Sequence, residues 1–102
     1  MADTKEVTVT KPVVNEEVKE PSMFNVIYIN DEVTTVEFVI STLIAVFKYD
    51  HNKAAEKTHT IHEDGSAVVA TYPYEIAEQK GVEVTLLARQ HNFPLQVKLE
   101  AE

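Results

Sequence analysis

Met23-Phe24-Asn25-Val26-Ile27-Tyr28-Ile29, then Asn30-Asp31-Glu32, then Val33-Thr34-Thr35-Val36-Glu37-Phe38-Val39, is the stretch on which the fold turns. Its first seven residues are β-branched, aromatic or otherwise apolar apart from Asn25, a composition that suits a strand half or fully buried in a sheet. Three polar residues then break the apolar run. Thr34 and Glu37 have capping-box spacing: the Thr34 hydroxyl can accept from the amide of Glu37, the Glu37 side chain can reach back to Thr34, and Val33 can pack on Phe38 as a hydrophobic staple. From there Val36, Ile40, Leu43, Ile44 and Phe47 repeat at helical spacing, and Phe38, Val39 and Val46 widen that stripe. A strand handing over to a helix through a short polar turn is therefore the nucleus of the reading.

Downstream, a more polar helix is expected from about His51 to Glu63, with Asp50 as its N-cap and Gly65 just past its end, where a left-handed residue costs least. Its buried face is Ala54, Thr58 and Ile61. Ala67 to Tyr72 reads as a second strand, and Pro73 stands near the start of a third helix, where its missing amide costs nothing. That helix runs to about His91, with Ala77, Gly81, Val84 and Ala88 as a stripe of small residues suited to close approach. Asn92 and Pro94 mark its stop, and Leu95 to Leu99 alternates apolar and polar as a strand with one buried face does. The predicted order is β-α-α-β-α-β, an α+β fold in which a three-stranded antiparallel sheet packs against three helices.

Upstream, residues 1–20 alternate Lys, Glu, Asp, Val and Thr, and no aromatic precedes Phe24. Such a segment cannot offset its ordering entropy, so a flexible tail over 1–20 and a single domain over 21–102 are expected. The 102 residues, 44% hydrophobic and 25% charged, suffice for one modest core. The net charge of -8 repels phosphate backbones and anionic lipid, which argues against nucleic-acid and membrane partners. Without cysteine there is no disulfide framework, thiolate metal site or thiol nucleophile, as suits a reducing compartment. With no apolar run near ~20 residues and no basic-then-apolar leader, a cytoplasmic protein is expected, and with no spare apolar stripe, a monomer.

The chemistry-bearing residues are few. Asn30-Asp31-Glu32 serves equally as ordinary turn chemistry or as a set of acceptors that binds a cation beside an apolar strand. His59 and His62 lie three apart, but two imidazoles make half a tetrahedral site and no third ligand completes it, so no metal is expected. Ser22, Ser41 and Ser66 carry no nucleophile motif, and two glycines make no phosphate loop. A hydrolase using His62 with Asp31 lacks an indicated nucleophile or oxyanion donor, and no cofactor is implied.

Taken together, Pro21-Ser22-Met23, Ile29-Asn30-Asp31-Glu32, Thr34-x-x-Glu37-Phe38-Val39, Ile61-His62-x-x-Gly65, Tyr74-Glu75-Ile76-Ala77-Glu78-x-Lys80 and His91-Asn92-Phe93-Pro94-Leu95 resemble, in order, the ClpS adaptor family. The resemblance implies an adaptor, not an enzyme. It would bind proteins that begin with Leu, Phe, Tyr or Trp and pass these N-degron substrates to a ClpA- or ClpC-type unfoldase coupled to the ClpP protease. It also implies that Asn30, Asp31 and His62 hold the substrate's α-amino group, with Glu32 near its second residue. Ile29, Thr34, Val36, Val39, Thr58, Ile61 and Leu95 would line the pocket for its first side chain, and Glu75 and Lys80 would face the unfoldase. The family usually has Met where Val36 stands and commonly where Thr58 stands, so a wider pocket is expected here. The same element order is also similar to the C-terminal domain of the ribosomal stalk protein, an interaction domain without the Asn-Asp turn and the downstream His.

Overall fold

A computed structural model describes residues 22–102; the tail expected over 1–20 lies outside the described residues. The elements are β1 (Met23–Ile29), α1 (Val36–Phe47), α2 (His51–Asp64), β2 (Ser66–Pro73), α3 (Tyr74–Gln90) and β3 (Gln96–Ala101). This is the expected β-α-α-β-α-β order.

The most apolar strand takes the centre. The sheet runs β2-β1-β3 with both neighbours antiparallel to β1. Val26, Ile27 and Tyr28 are buried in succession; Val26 and Tyr28 share one face of the strand and join the core, whereas Ile27 lies on the other face, outside the core cluster. The β1–β2 register steps between Val26, opposite Ala70, and Ile27, opposite Val68, which leaves Val69 as the extra residue of a bulge. Val69 is itself buried, and its carbonyl accepts from the Tyr49 hydroxyl, so the irregularity leaves no orphaned acceptor there. Around the sheet the core gathers Val26, Tyr28, Val39, Leu43, Val46, Ala54, Ile61, Val69, Ala77, Val84, Ala88 and Leu95.

Two local expectations are corrected. The cap of α1 is Thr35, whose hydroxyl accepts from the Phe38 amide at 3.2 Å, rather than Thr34. Both threonines suit a cap chemically; Thr34 is withdrawn because its amide and hydroxyl both bond Asp31. The buried face of α1 is also rotated from the purely apolar stripe. Val39, Thr42, Leu43 and Val46 are buried, whereas Val36 and Ile44 are exposed. Thr42 can sit in the core because its hydroxyl donates to the Val39 carbonyl at 2.8 Å and, with its one proton spent, accepts from the Tyr28 hydroxyl at 2.7 Å. Burial pushes the Tyr28 phenol well above its ordinary range, so it remains a neutral donor.

The other helices follow their end signals. Asp50 caps α2 by accepting from the Lys53 amide at 2.8 Å, and Gly65 closes it in the left-handed region at φ 90°. Pro73 is the residue before α3 rather than inside it, and Ala77, Val84 and Ala88 form that helix's buried face. Gly81 is tolerant rather than obligatory, since an added Cβ would meet Val97 at 3.6 Å, an ordinary contact.

Candidate functional site

Asp31 organises the turn between β1 and α1. One carboxylate oxygen accepts from the amides of Val33 at 2.8 Å and Thr34 at 2.6 Å, and the other accepts from the Thr34 hydroxyl at 2.8 Å. An ionised carboxylate offers about four acceptor positions, so three are spent within the turn and one, on the oxygen facing the Thr34 hydroxyl, is left. Burial alone would raise the Asp31 carboxyl; the Thr34 and Val33 hydrogen bonds and the charge of Arg89 outweigh it and hold the group below the usual carboxylate range. Asp31 is thus a firmly ionised group with one oxygen still able to accept.

The end of α2 is tied to this turn. The Asn30 amide donates to the Gly65 carbonyl at 2.9 Å, which brings the last turn of α2, carrying Ile61 and His62, beside Asn30 and Asp31. The result is a cavity of about 440 Å³ lined by Asn30 through Val36, Val39, Thr58, Ile61 and His62. Its polar lining comes from the turn and the exposed His62; its wall of Val36, Val39, Thr58 and Ile61 comes from α1 and α2. Val36 is 53% exposed although apolar, because it stands on the cavity and not in the core. Thr58 is 5% exposed, and its hydroxyl donates to the Ala54 carbonyl at 2.7 Å.

Nine residues singled out from sequence therefore meet at one place: Asn30, Asp31, Glu32, Thr34, Val36, Val39, Thr58, Ile61 and His62. Ile29 and Leu95 are not among the lining residues. Ile29 is the last residue of β1, half-buried in the sheet, and Leu95 is a core residue at 1% exposure just before β3. Val33 and Thr35 line the cavity without having been singled out; membership of the same short turn is the signal that would have found them.

The two residues assigned to a partner surface lie on α3. Glu75 is exposed and helps line a shallow cavity of about 350 Å³ with Ser22, Phe24, Pro73, Tyr74 and Ile76. Lys80 is half-buried, and its ammonium donates to the Val46 carbonyl at 3.0 Å, where a cation also complements the C-terminal end of α1. Glu75 is available to a partner as it stands, whereas Lys80 already has a task inside the domain.

An anionic acceptor with a vacant lone pair, beside an apolar recess of this size, suits a group with a cationic head and an apolar body. Among the described residues no cluster of three or more metal-ligating side chains occurs, and no helix is long and apolar enough to cross a membrane.

Comparison with known proteins adds to this geometry. The family model described as "ATP-dependent Clp protease adaptor protein ClpS" matches residues 19–98. The ATP-dependent Clp protease adapter protein ClpS of Roseobacter denitrificans is 40% identical over 100 residues, covering 98% of this chain and 85% of the relative. The Campylobacter jejuni protein of that name is 43% identical over 83 residues, 81% of this chain and 86% of the relative. Among solved structures, Agrobacterium tumefaciens ClpS2 bound to L-phenylalaninamide superposes with a TM-score of 0.80 at 37% identity, covering 81% of this chain and all of that one.

Proposed function

The chain belongs to the ClpS family, adaptors of the ATP-dependent Clp protease and not enzymes, and from that premise we propose that it grips proteins by their first residue and hands them to a ClpA- or ClpC-type unfoldase. The substrates are proteins that begin with Leu, Phe, Tyr or Trp and carry a free α-amino group. An α-amino group has a reference pKa of ~7.7 to 8.0 and is therefore largely cationic near neutral pH. Asp31 is its charge partner, Asn30 and His62 add acceptors, and Glu32 reaches towards the second residue. The side chain enters between Val36, Val39, Thr58 and Ile61, where burying Phe or Leu is worth ~1.5 to 3 kcal/mol.

The observation that carries this reading is the spare Asp31 acceptor in the lining of a 440 Å³ cavity whose other face is apolar. A ligand bound there presents ammonium and side chain in fixed relation, which is what distinguishes the first residue of a chain from an internal one. The phenylalaninamide bound to the Agrobacterium relative has this chemistry, a free ammonium and a benzyl group, and supports the assignment.

For delivery, exposed Glu75 contacts the N-terminal domain of the unfoldase, Lys80 positions the end of α1 beside that surface, and residues 1–20 are what the unfoldase engages. The adaptor works as a cytoplasmic monomer. The test is fluorescence anisotropy with C-terminally labelled peptides that begin with Phe, Leu, Trp, Tyr, Ile, Val or Ala, each with a free or acetylated amino terminus. Binding of free bulky N-termini, lost on acetylation, is expected; equal binding of acetylated peptides would sink the proposal.

A further inference from the structure

Thr58 is the one hydroxyl-bearing residue among the four that form the apolar wall of the cavity. It is 5% exposed, so bulk water does not satisfy it. A hydroxyl has one proton and two acceptor lone pairs. The Thr58 proton is committed to the Ala54 carbonyl at 2.7 Å, within its own helix, and no described protein donor bonds its oxygen. What Thr58 has left to offer a ligand is therefore acceptance alone.

The same molecule shows what such a threonine does when a donor is supplied. Thr42, one helix away, spends its proton on the Val39 carbonyl at 2.8 Å and receives the buried Tyr28 hydroxyl at 2.7 Å. Thr58 repeats the first half of that arrangement, with its proton on a backbone carbonyl of its own helix, and the second half is missing. The missing partner is a donor carried on an apolar body, a phenol O–H or an indole N–H.

Resting on the N-terminal recognition proposed above, we infer that Thr58 is a specificity residue that sorts first residues by the hydrogen-bond donor they carry, favouring Tyr and Trp over Phe. A wall with no acceptor, such as valine would give, strips water from a tyrosine hydroxyl without replacing the bond. Thr58 replaces it. Leu and Phe remain substrates because they ask for no bond, but the threonine adds nothing to their hold.

Two measurements by peptide anisotropy test this. In the unaltered protein, a peptide beginning with Tyr is expected to bind about fivefold tighter than one beginning with 4-fluorophenylalanine, which has nearly the same shape and no donor. In Thr58→Val, the preference for Tyr over Phe is expected to fall about fivefold, and Thr58→Ser retains it. Equal affinity for Tyr and 4-fluorophenylalanine in the unaltered protein overturns the inference, and so does an unchanged Tyr-to-Phe ratio in a Thr58→Val protein that still binds Leu. Should Thr58→Val not fold, the fluorinated peptide decides alone. Absence of binding by any bulky N-terminus overturns the broader proposal instead, so the two failures are distinguishable.

Discussion

The Asn30–Thr35 turn and the wall of Val36, Val39, Thr58 and Ile61 face one cavity, yet they are held in place by opposite means. The turn is local. Its shape is set by three hydrogen bonds to Asp31 from residues two and three positions along the chain. The wall is not local: two of its residues come from α1 and two from α2, and their spacing depends on how those helices pack. Under the proposed function, a site divided in this way separates its two tasks. In that proposal the turn supplies the charge for the free N-terminus, and the wall selects the side chain that accompanies it.

Asp31→Ala should cause the largest effect, because it removes the charge partner and unties the turn together. We expect affinity to fall about 100-fold for Leu, Phe, Tyr and Trp peptides alike, with their ranking preserved. A reordered ranking in the anisotropy series would show that turn and wall are not separable. Next, Val36→Met should leave Leu within twofold and weaken Ile and Val peptides about tenfold, since the longer side chain fills the space a β-branched residue would use. That variant touches only ranking, the converse of the first.

A smaller effect is expected from Thr34→Val, which removes the hydroxyl donor to Asp31 and keeps the amide. Stability measured by urea denaturation should fall by ~1 kcal/mol with peptide ranking unchanged. Smallest near neutrality is the pH dependence. Because the folded-state pKa of Asp31 is lowered, its contribution is fully present above the unfolded carboxylate value of ~3.9 and is lost as pH falls through the lower folded value. Stability curves of the unaltered protein and Asp31→Asn should therefore run parallel from about pH 5 to 8 and converge only in acid. Convergence already at pH 6 would contradict the hydrogen-bonding described for Asp31.

The contrast also explains what the sequence disclosed. Strand β1, the caps Asp50 and Gly65, and the buried face Ala54, Thr58 and Ile61 follow from signals within a few residues, and the structure has them as read. The rotation of α1 was not legible. Thr42 counts as polar in any periodicity, and only its bonds to Val39 and Tyr28, the latter fourteen residues away, make it a core residue. Thr34 and Thr35 are chemically equivalent caps until Asp31 takes one of them. For the site, nine of the residues named from the resemblance line the cavity, while Ile29 ends β1 half-buried and Leu95 is buried in the core, positions where apolar character in sequence does not separate packing from ligand contact.

The placement of β1 at the centre of the sheet bears on when the molecule begins to work. Its two neighbours are made later in the chain, and β3, at Gln96–Ala101, is made last of all. During synthesis the most apolar strand thus waits with both edges unpaired, and the pairing that completes the sheet spans more than sixty residues of sequence, as in Ile29 opposite Gln96. The Asn30 turn hangs directly from that strand, and its bond to Gly65 closes a long loop as well. A chain cut before β3 therefore leaves one edge of the strand that carries the Asn30 turn without its partner, and the turn hangs from a sheet that is not yet closed.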